Sequence, residues 1–141
     1  MRIQQFQVSL VDKTKKHLPR SLKNFEARSF FSTVKLAYKN PKVHFEVWVR
    51  GKEKLVEVGL HFEDTKETND ALLAYFNLHA FEIHHELGAQ VEIEQWTSSW
   101  SRVHQVIPYD SLDAKLVETI AKNLARMITV LEPLLEKSEL A

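Results

Sequence analysis

Between Ser29 and Phe62 apolar residues recur at every second position through three successive runs, and that period restricts the chain to folds built on an antiparallel sheet. In the first run Phe30, Val34, Leu36 and Tyr38 share a face with Ser32, opposite Phe31, Thr33, Lys35 and Ala37. Lys39-Asn40-Pro41-Lys42 then carries turn chemistry. In the second run Val43, Phe45, Val47 and Val49 alternate with His44, Glu46, Trp48 and Arg50. Gly51-Lys52 suits a two-residue hairpin, and the third run continues through Val56, Val58, Leu60 and Phe62. With Tyr38 opposite Val43 and Arg50 opposite Glu53, Val34, Val47, Val56 and Leu36, Phe45, Val58 form inner rows. The outer rows are then Lys35, Glu46, Glu57; Thr33, Trp48, Leu55; and Phe31, Arg50, Glu53. A slip of one residue would bury the charges, so the alternation specifies which face is inside.

Helical spacing flanks this meander. Ile3, Phe6, Leu10 and Val11 predict an amphipathic helix that Pro19 interrupts, with residues 12–27 an exposed, loosely ordered connection. Asp64 and Glu67 read as a capping box opening one helix through Leu72, Phe76, Ala80, Ile83 and Leu87, ended by Gly88. Val91–Thr97 and Ser101–Ile107 predict a second hairpin, with Thr97 opposite Ser101, Glu94 opposite His104 and Trp96 opposite Arg102. A last helix starts near Asp110 or Ser111 and buries Leu112, Leu116, Ile120, Leu124, Met127 or Ile128, and Leu131; Pro133 is expected to bend or end it. The order αβββαββα is that of a two-layer α+β fold, a five-stranded antiparallel sheet with helices mainly on one face. Residues 1–141 make a single domain with a basic N-terminal helix and connection at residues 1–28.

Composition narrows the chemistry. The absence of cysteine excludes disulfides, thiolate metal sites and cysteine nucleophiles. MRIQQFQVSL lacks a continuous apolar signal region and no run approaches 18 apolar residues, so the expectation is a cytoplasmic chain with no membrane contact. Lys and Arg outnumber Asp and Glu thirteen to four in residues 1–54, whereas the remainder holds six against fifteen. One reading is a basic nucleic-acid surface on Lys13, Lys15, Lys16, Arg20 and Lys23. The plainer one packs the basic half against the acidic half.

The helix with Asn69 near its start, its Glu86-Leu87-Gly88 end, the VEIEQW strand and Ser101-Arg102 before a long final helix together resemble an uncharacterised prokaryotic domain family. Its members stand alone or lie C-terminal to restriction-endonuclease-like nuclease domains. The resemblance covers about half of the chain and implies association with nucleases of DNA restriction, repair or defence. It transfers no catalytic residue. Where relatives carry basic residues before the Ser-Arg pair, this chain has Thr97-Ser98-Ser99-Trp100, which argues against a phosphate contact from that loop.

No strand carries the acidic residue and Glu-x-Lys or Asp-x-Lys that a metal-dependent nuclease needs. Glu82-x-x-His85 has di-metal helix spacing, but the last helix holds no histidine to complete such a site, and a solvated polar face accounts for it. The outer sheet face is the candidate surface: Glu46, Trp48, Arg50, Glu57, Glu94, Trp96, Arg102 and His104, joined by Glu92, His44 and His61. Such a set suits a metal-assisted hydrolase, or it forms a charge ladder in which Lys35 offsets Glu46, Glu94 partners His104 and Arg102 lies over Trp96. The sequence assigns no catalytic residue, metal ligand or cofactor, and the leading expectation is an accessory domain that meets a protein partner or itself. Trp48, Leu55 and Trp96 are expected to be covered by the N-terminal helix and connection, or by a second subunit.

Overall fold

The computed structural model describes residues 1–141. Four helices and six strands follow in the order α1 (Ile3–His17), β1 (Glu26–Phe30), β2 (Thr33–Ala37), β3 (Val43–Arg50), β4 (Leu55–Phe62), α2 (Lys66–Leu78), α3 (Ala80–Leu87), β5 (Glu92–Gln95), β6 (Ser101–Pro108) and α4 (Ala114–Ser138). A short 3-10 turn at Arg20–Leu22 joins α1 to β1. The strands form one antiparallel sheet in the order β1-β2-β3-β4-β6-β5. The α+β class is as expected, but the sheet has six strands, not five, and the element order differs.

The extra strand comes from the basic connection. Phe31 takes a left-handed backbone (φ 51°), which turns the chain at Phe31-Ser32 and folds Glu26–Phe30 back on Thr33–Ala37. The predicted first strand is thus a hairpin, and residues 12–27 are mostly ordered: Thr14, Leu18 and Phe25 are buried. No helix is long and apolar enough to cross a membrane.

The β2–β3 register is the predicted one, with Val34 opposite Val47 and Lys35 opposite Glu46. Between β3 and β4 it moves by two residues. Four residues, Gly51–Lys54, make the turn, with Lys54 at φ 57°, so Arg50 faces Leu55 and Val47 faces Val58. A shift of two keeps every side chain on its face, so the apolar pattern could not detect it. The β5–β6 hairpin moves likewise. Gln95 faces Ser101 and Glu94 faces Arg102, because Thr97 Oγ1 accepts from the amides of Ser99 (3.2 Å) and Trp100 (2.8 Å) and draws Trp96 and Thr97 into the loop.

Apolar side chains of the inner sheet face join those of the helices in one core that includes Phe6, Phe45, Phe62, Phe76, Ile120 and Leu124. Three predicted helix boundaries change. The cap of α2 is Thr65, whose side chain accepts from Thr68 N, and the helix stops at Leu78 before α3 begins at Ala80. Asp113, not Asp110 or Ser111, caps α4 by accepting from Leu116 N at 2.8 Å. Pro133 lies inside α4 without ending it; Leu131 and Leu135 on either side are buried, and their packing outweighs the lost amide. α1 packs along α4, with His17 Nε2 2.6 Å from Glu118 Oε1. It does not cross the outer sheet face, so the predicted cover of the tryptophans by residues 1–28 is wrong.

Candidate functional site

The outer face follows from strand alternation: His44, Glu46, Trp48 and Arg50 on β3; Leu55, Glu57, Gly59 and His61 on β4; Arg102 and His104 on β6; Glu92 and Glu94 on β5. These groups shield one another. Glu46, Glu57, His44, His61, Arg102 and His104 are all buried, although the face has no covering layer of helices.

Glu57 anchors one cluster. It accepts from Arg50 Nη1 at 3.0 Å and from Arg102 Nη1 at 2.9 Å, and Arg102 Nε reaches Glu94 Oε1 at 3.1 Å. His104 Nε2 lies 2.8 Å from the same Glu94 oxygen without hydrogen-bond alignment. Burial works to raise the Glu94 carboxyl, but the Arg102 hydrogen bond and the charges of His104 and Arg102 hold it below its ordinary value. Burial, with the Arg102 charge, lowers His104 against the opposing pull of Glu94 and Glu57. The two tryptophans are tied to the same arginines: Arg50 Cζ sits 5.0 Å from the Trp48 ring and Arg102 Cζ 4.3 Å from Trp96. Seven of the eight residues singled out on this face, Trp48, Arg50, Glu57, Glu94, Trp96, Arg102 and His104, therefore meet in one network.

Glu46 belongs elsewhere. Its neighbour on β4 is Gly59, which separates it from His104 in the row Lys35, Glu46, Gly59, His104, Glu92. A Cβ on Gly59 would come 2.5 Å from Val103 O and 2.6 Å from His104 Cβ, so glycine is required here by the close approach of β6. Glu46 instead joins His44, His61 and Glu63. His44 Nε2 is 3.1 Å from Glu46 Oε1, and His61 Nδ1 is 3.1 Å from Glu63 Oε2. Burial would raise the Glu46 carboxyl, yet the His44 hydrogen bond and the charges of His61, His44 and Lys35 leave it lowered. Glu63 is the residue that sequence reasoning missed. Its signal was present as a repeated triplet, His44-Phe45-Glu46 and His61-Phe62-Glu63.

The basic set is placed apart from this face. Lys13, Lys15, Lys16, Arg20 and Lys23 are exposed at the end of α1 and along the connection. Lys13 reaches Glu118 at 3.9 Å and Lys15 lies over the Phe25 ring at 5.3 Å, so part of the basic half does meet the acidic half.

At the far side of the sheet, β1 has every residue exposed and an open edge. Val49 N donates to Ser32 O at 2.9 Å, so even-numbered residues of β2 point their backbone groups at β3 and odd-numbered ones at β1. In β1 the backbone of Glu26, Arg28 and Phe30 is then paired, and that of Ala27 and Ser29 faces the open edge. Phe30 and Phe31 stand exposed at the hairpin tip, ring to ring at 4.7 Å. No family model, curated protein or solved structure matches this chain.

Proposed function

We propose that this chain is an interaction domain that assembles with a second copy of itself by adding strand to strand at the β1 edge. The observation that carries this reading is β1 itself, a five-residue edge strand exposed throughout, with backbone groups of Ala27 and Ser29 directed outward. Such an edge is a template for another strand, and it lacks the proline, bulge or covering helix that commonly blunts one.

The occupant follows from charge. In a two-fold antiparallel pairing with Ala27 opposite Ala27 of the partner subunit, Glu26 faces Arg28 of the partner subunit twice. Opposite charges directly across an antiparallel pair stabilise it by about 0.2–1 kcal/mol each. Shifting the register by one residue on each strand would set Arg28 against Arg28 of the partner subunit, which like charge disfavours. The family resemblance extends this reading to an accessory role beside nucleases of DNA restriction, repair or defence.

Sedimentation of the full chain over a range of concentrations tests the assembly. A monomer–dimer equilibrium is expected. Ala27→Pro removes an amide that faces outward, so it should abolish the dimer while circular dichroism and melting stay unchanged. Glu26→Arg should weaken the dimer, and adding Arg28→Glu to it should restore dimerisation. A wild-type chain that stays monomeric, or a dimer indifferent to Ala27→Pro, overturns the proposal.

A further inference from the structure

Two identical triplets, His-Phe-Glu, occupy residues 44–46 and 61–63, and the antiparallel β3–β4 pairing sets His44 directly opposite His61. Alternation sends both phenylalanines into the core and all four polar side chains to the outer face. Because the strands run in opposite directions, Glu46 lies to one side of the histidine pair and Glu63 to the other. The geometry points to a binding site for one divalent transition-metal ion of the zinc class, held by His44, Glu46, His61 and Glu63.

The spacing of the donors fits one ion. Around a tetrahedral zinc with ligand bonds of about 2.0–2.2 Å, neighbouring donor atoms stand roughly 3.3–3.6 Å apart. The separations from His44 Nε2 fall on either side of that range, 3.1 Å to Glu46 Oε1 and 4.0 Å to Glu63 Oε1, and His61 brings either Nε2 to 3.8 Å from Glu46 Oε2 or Nδ1 to 3.1 Å from Glu63 Oε2, of which one nitrogen would ligate. One donor atom from each residue lies within 4.8 Å of all the others, so small rotations about the side chains bring the set onto a common centre. The site is also dry. The side chains of His44 and His61 are 2% and 4% exposed, and those of Glu46 and Glu63 are each 11% exposed.

Outer partners orient the ligands as metal sites require. His44 Nδ1 lies 2.9 Å from the carbonyl of Pro41, which can only accept, so Nδ1 carries a proton and Nε2 is the nitrogen turned toward the carboxylates. In the absence of an ion a proton on Nε2 makes the hydrogen bond to Glu46, and a bound cation would take the place of that proton between the ring and the carboxylates. His61 is held in register by stacking on His44 (5.8 Å, 12°) and by the edge of Trp96. Glu63 N donates to Lys42 O at 2.8 Å, and Asn40 Nδ2 donates to Asp64 Oδ2 at 2.9 Å, so the turn that supplies the Pro41 carbonyl is tied to the strand that supplies Glu63.

Charge separates this cluster from its neighbour. Glu92, Glu94 and His104 also converge, but Arg102 binds Glu94 and its guanidinium repels a cation there. In the His-Phe-Glu cluster two carboxylates face the histidines, and the basic residue opposite Glu46 is Lys35. Arg102 is the strand neighbour of His61, yet its guanidinium goes to Glu57 and Glu94. Two imidazole nitrogens and two carboxylate oxygens suit zinc, and four protein donors fill a tetrahedral shell, which makes the ion a structural clamp between the turn at residues 39–42 and the end of β4.

The test uses the untagged full chain, stripped with chelator and titrated with Zn²⁺ by calorimetry and with Co²⁺ by visible absorption. One ion per chain is expected, with Co²⁺ bands of tetrahedral intensity and a melting temperature that rises with Zn²⁺. His61→Gln and Glu63→Gln should each weaken Zn²⁺ binding by about 100-fold or more, at or beyond the loss that outer partners alone produce. Glu92→Gln should leave it unchanged. A cooperative melting transition of the metal-free Glu63→Gln protein shows that the variant folds, and the wild-type Co²⁺ spectrum reads the ligand set without any substitution. Absence of saturable Zn²⁺ uptake, octahedral Co²⁺ bands, or uptake that survives both substitutions and disappears with His84→Gln and His85→Gln, overturns the site.

Discussion

The outer sheet face and the far end of α4 both bury carboxylates, and they treat them in opposite ways. On the sheet, Glu57 accepts from two arginines and Glu46 from an imidazole, and the Glu46 carboxyl stays below its ordinary value despite burial. On α4, Glu132 is equally buried but has no cationic hydrogen-bond partner; burial, with the charge of Glu136 behind it, pushes its carboxyl up to about 7. Burial alone does not decide the charge state. What decides it is whether the fold brings a donor or cation with the carboxylate.

Removing the central partner on the sheet should produce the largest effect. Glu57→Ala leaves Arg102 buried with one carboxylate fewer and releases Arg50 from the strand, and breaking a buried pair from one side costs about 3–5 kcal/mol. Chemical denaturation should register that loss as a lower midpoint at unchanged slope. Glu63→Gln in the neighbouring cluster removes one of two carboxylates that no arginine balances, so the metal-free variant should lose far less. Equal losses at the two positions would mean that the arginine network is not what stabilises this face.

Gly59 separates the two clusters, and a methyl group there sharpens the contrast. Gly59→Ala drives a Cβ into the backbone carbonyl of Val103 and into His104, so β4 and β6 must part. Overpacking of this kind costs about 1–3 kcal/mol. Amide exchange should accelerate along β6 more than along β2, since β2 pairs with β3 and not with β4. Uniform acceleration across the sheet would show that the strain is not local.

How much of this was legible in the sequence depended on what each residue buries. Val43 to Phe62 could be read because one face is apolar and the other charged, and α4 because Leu116, Ile120, Leu124, Ile128 and Leu131 keep helical spacing. β1 could not: Glu26, Ala27, Arg28 and Ser29 bury nothing, and Phe31, the residue that turns the chain, continues the alternation of the strand after it. The break at His79 was hidden for the converse reason, since Phe76 and Ile83 keep an apolar stripe running across both helices. Arg102 over Trp96 and Glu94 beside His104 were foreseen as contacts although the register was two residues out, because diagonal neighbours on one face remain within reach. Assigning Glu46 to the network of Glu57 failed because the loop length between β3 and β4, which sets Gly59 opposite Glu46, leaves no trace in the alternation.

The smallest expected effect tests the unpartnered carboxylate, and its sign follows from proton linkage. Glu132 titrates at about 7 in the folded chain against an ordinary 4.5, so between those values the folded state holds a proton that the unfolded state has lost. Its contribution to stability is therefore fully present below pH 4.5 and is lost as pH rises through about 7. Glu132→Gln imitates the protonated form at every pH. Melting of the two proteins should coincide near pH 4, with the variant ahead at pH 8 by an amount on the order of 1–2 kcal/mol, allowing for solvent screening in the cleft that Glu132 shares with Tyr38 and Lys39. A variant that gains nothing at pH 8 would mean that the charge of Lys39, which acts to lower the Glu132 carboxyl, already compensates it, and the contrast between the two regions would then be one of degree and not of kind.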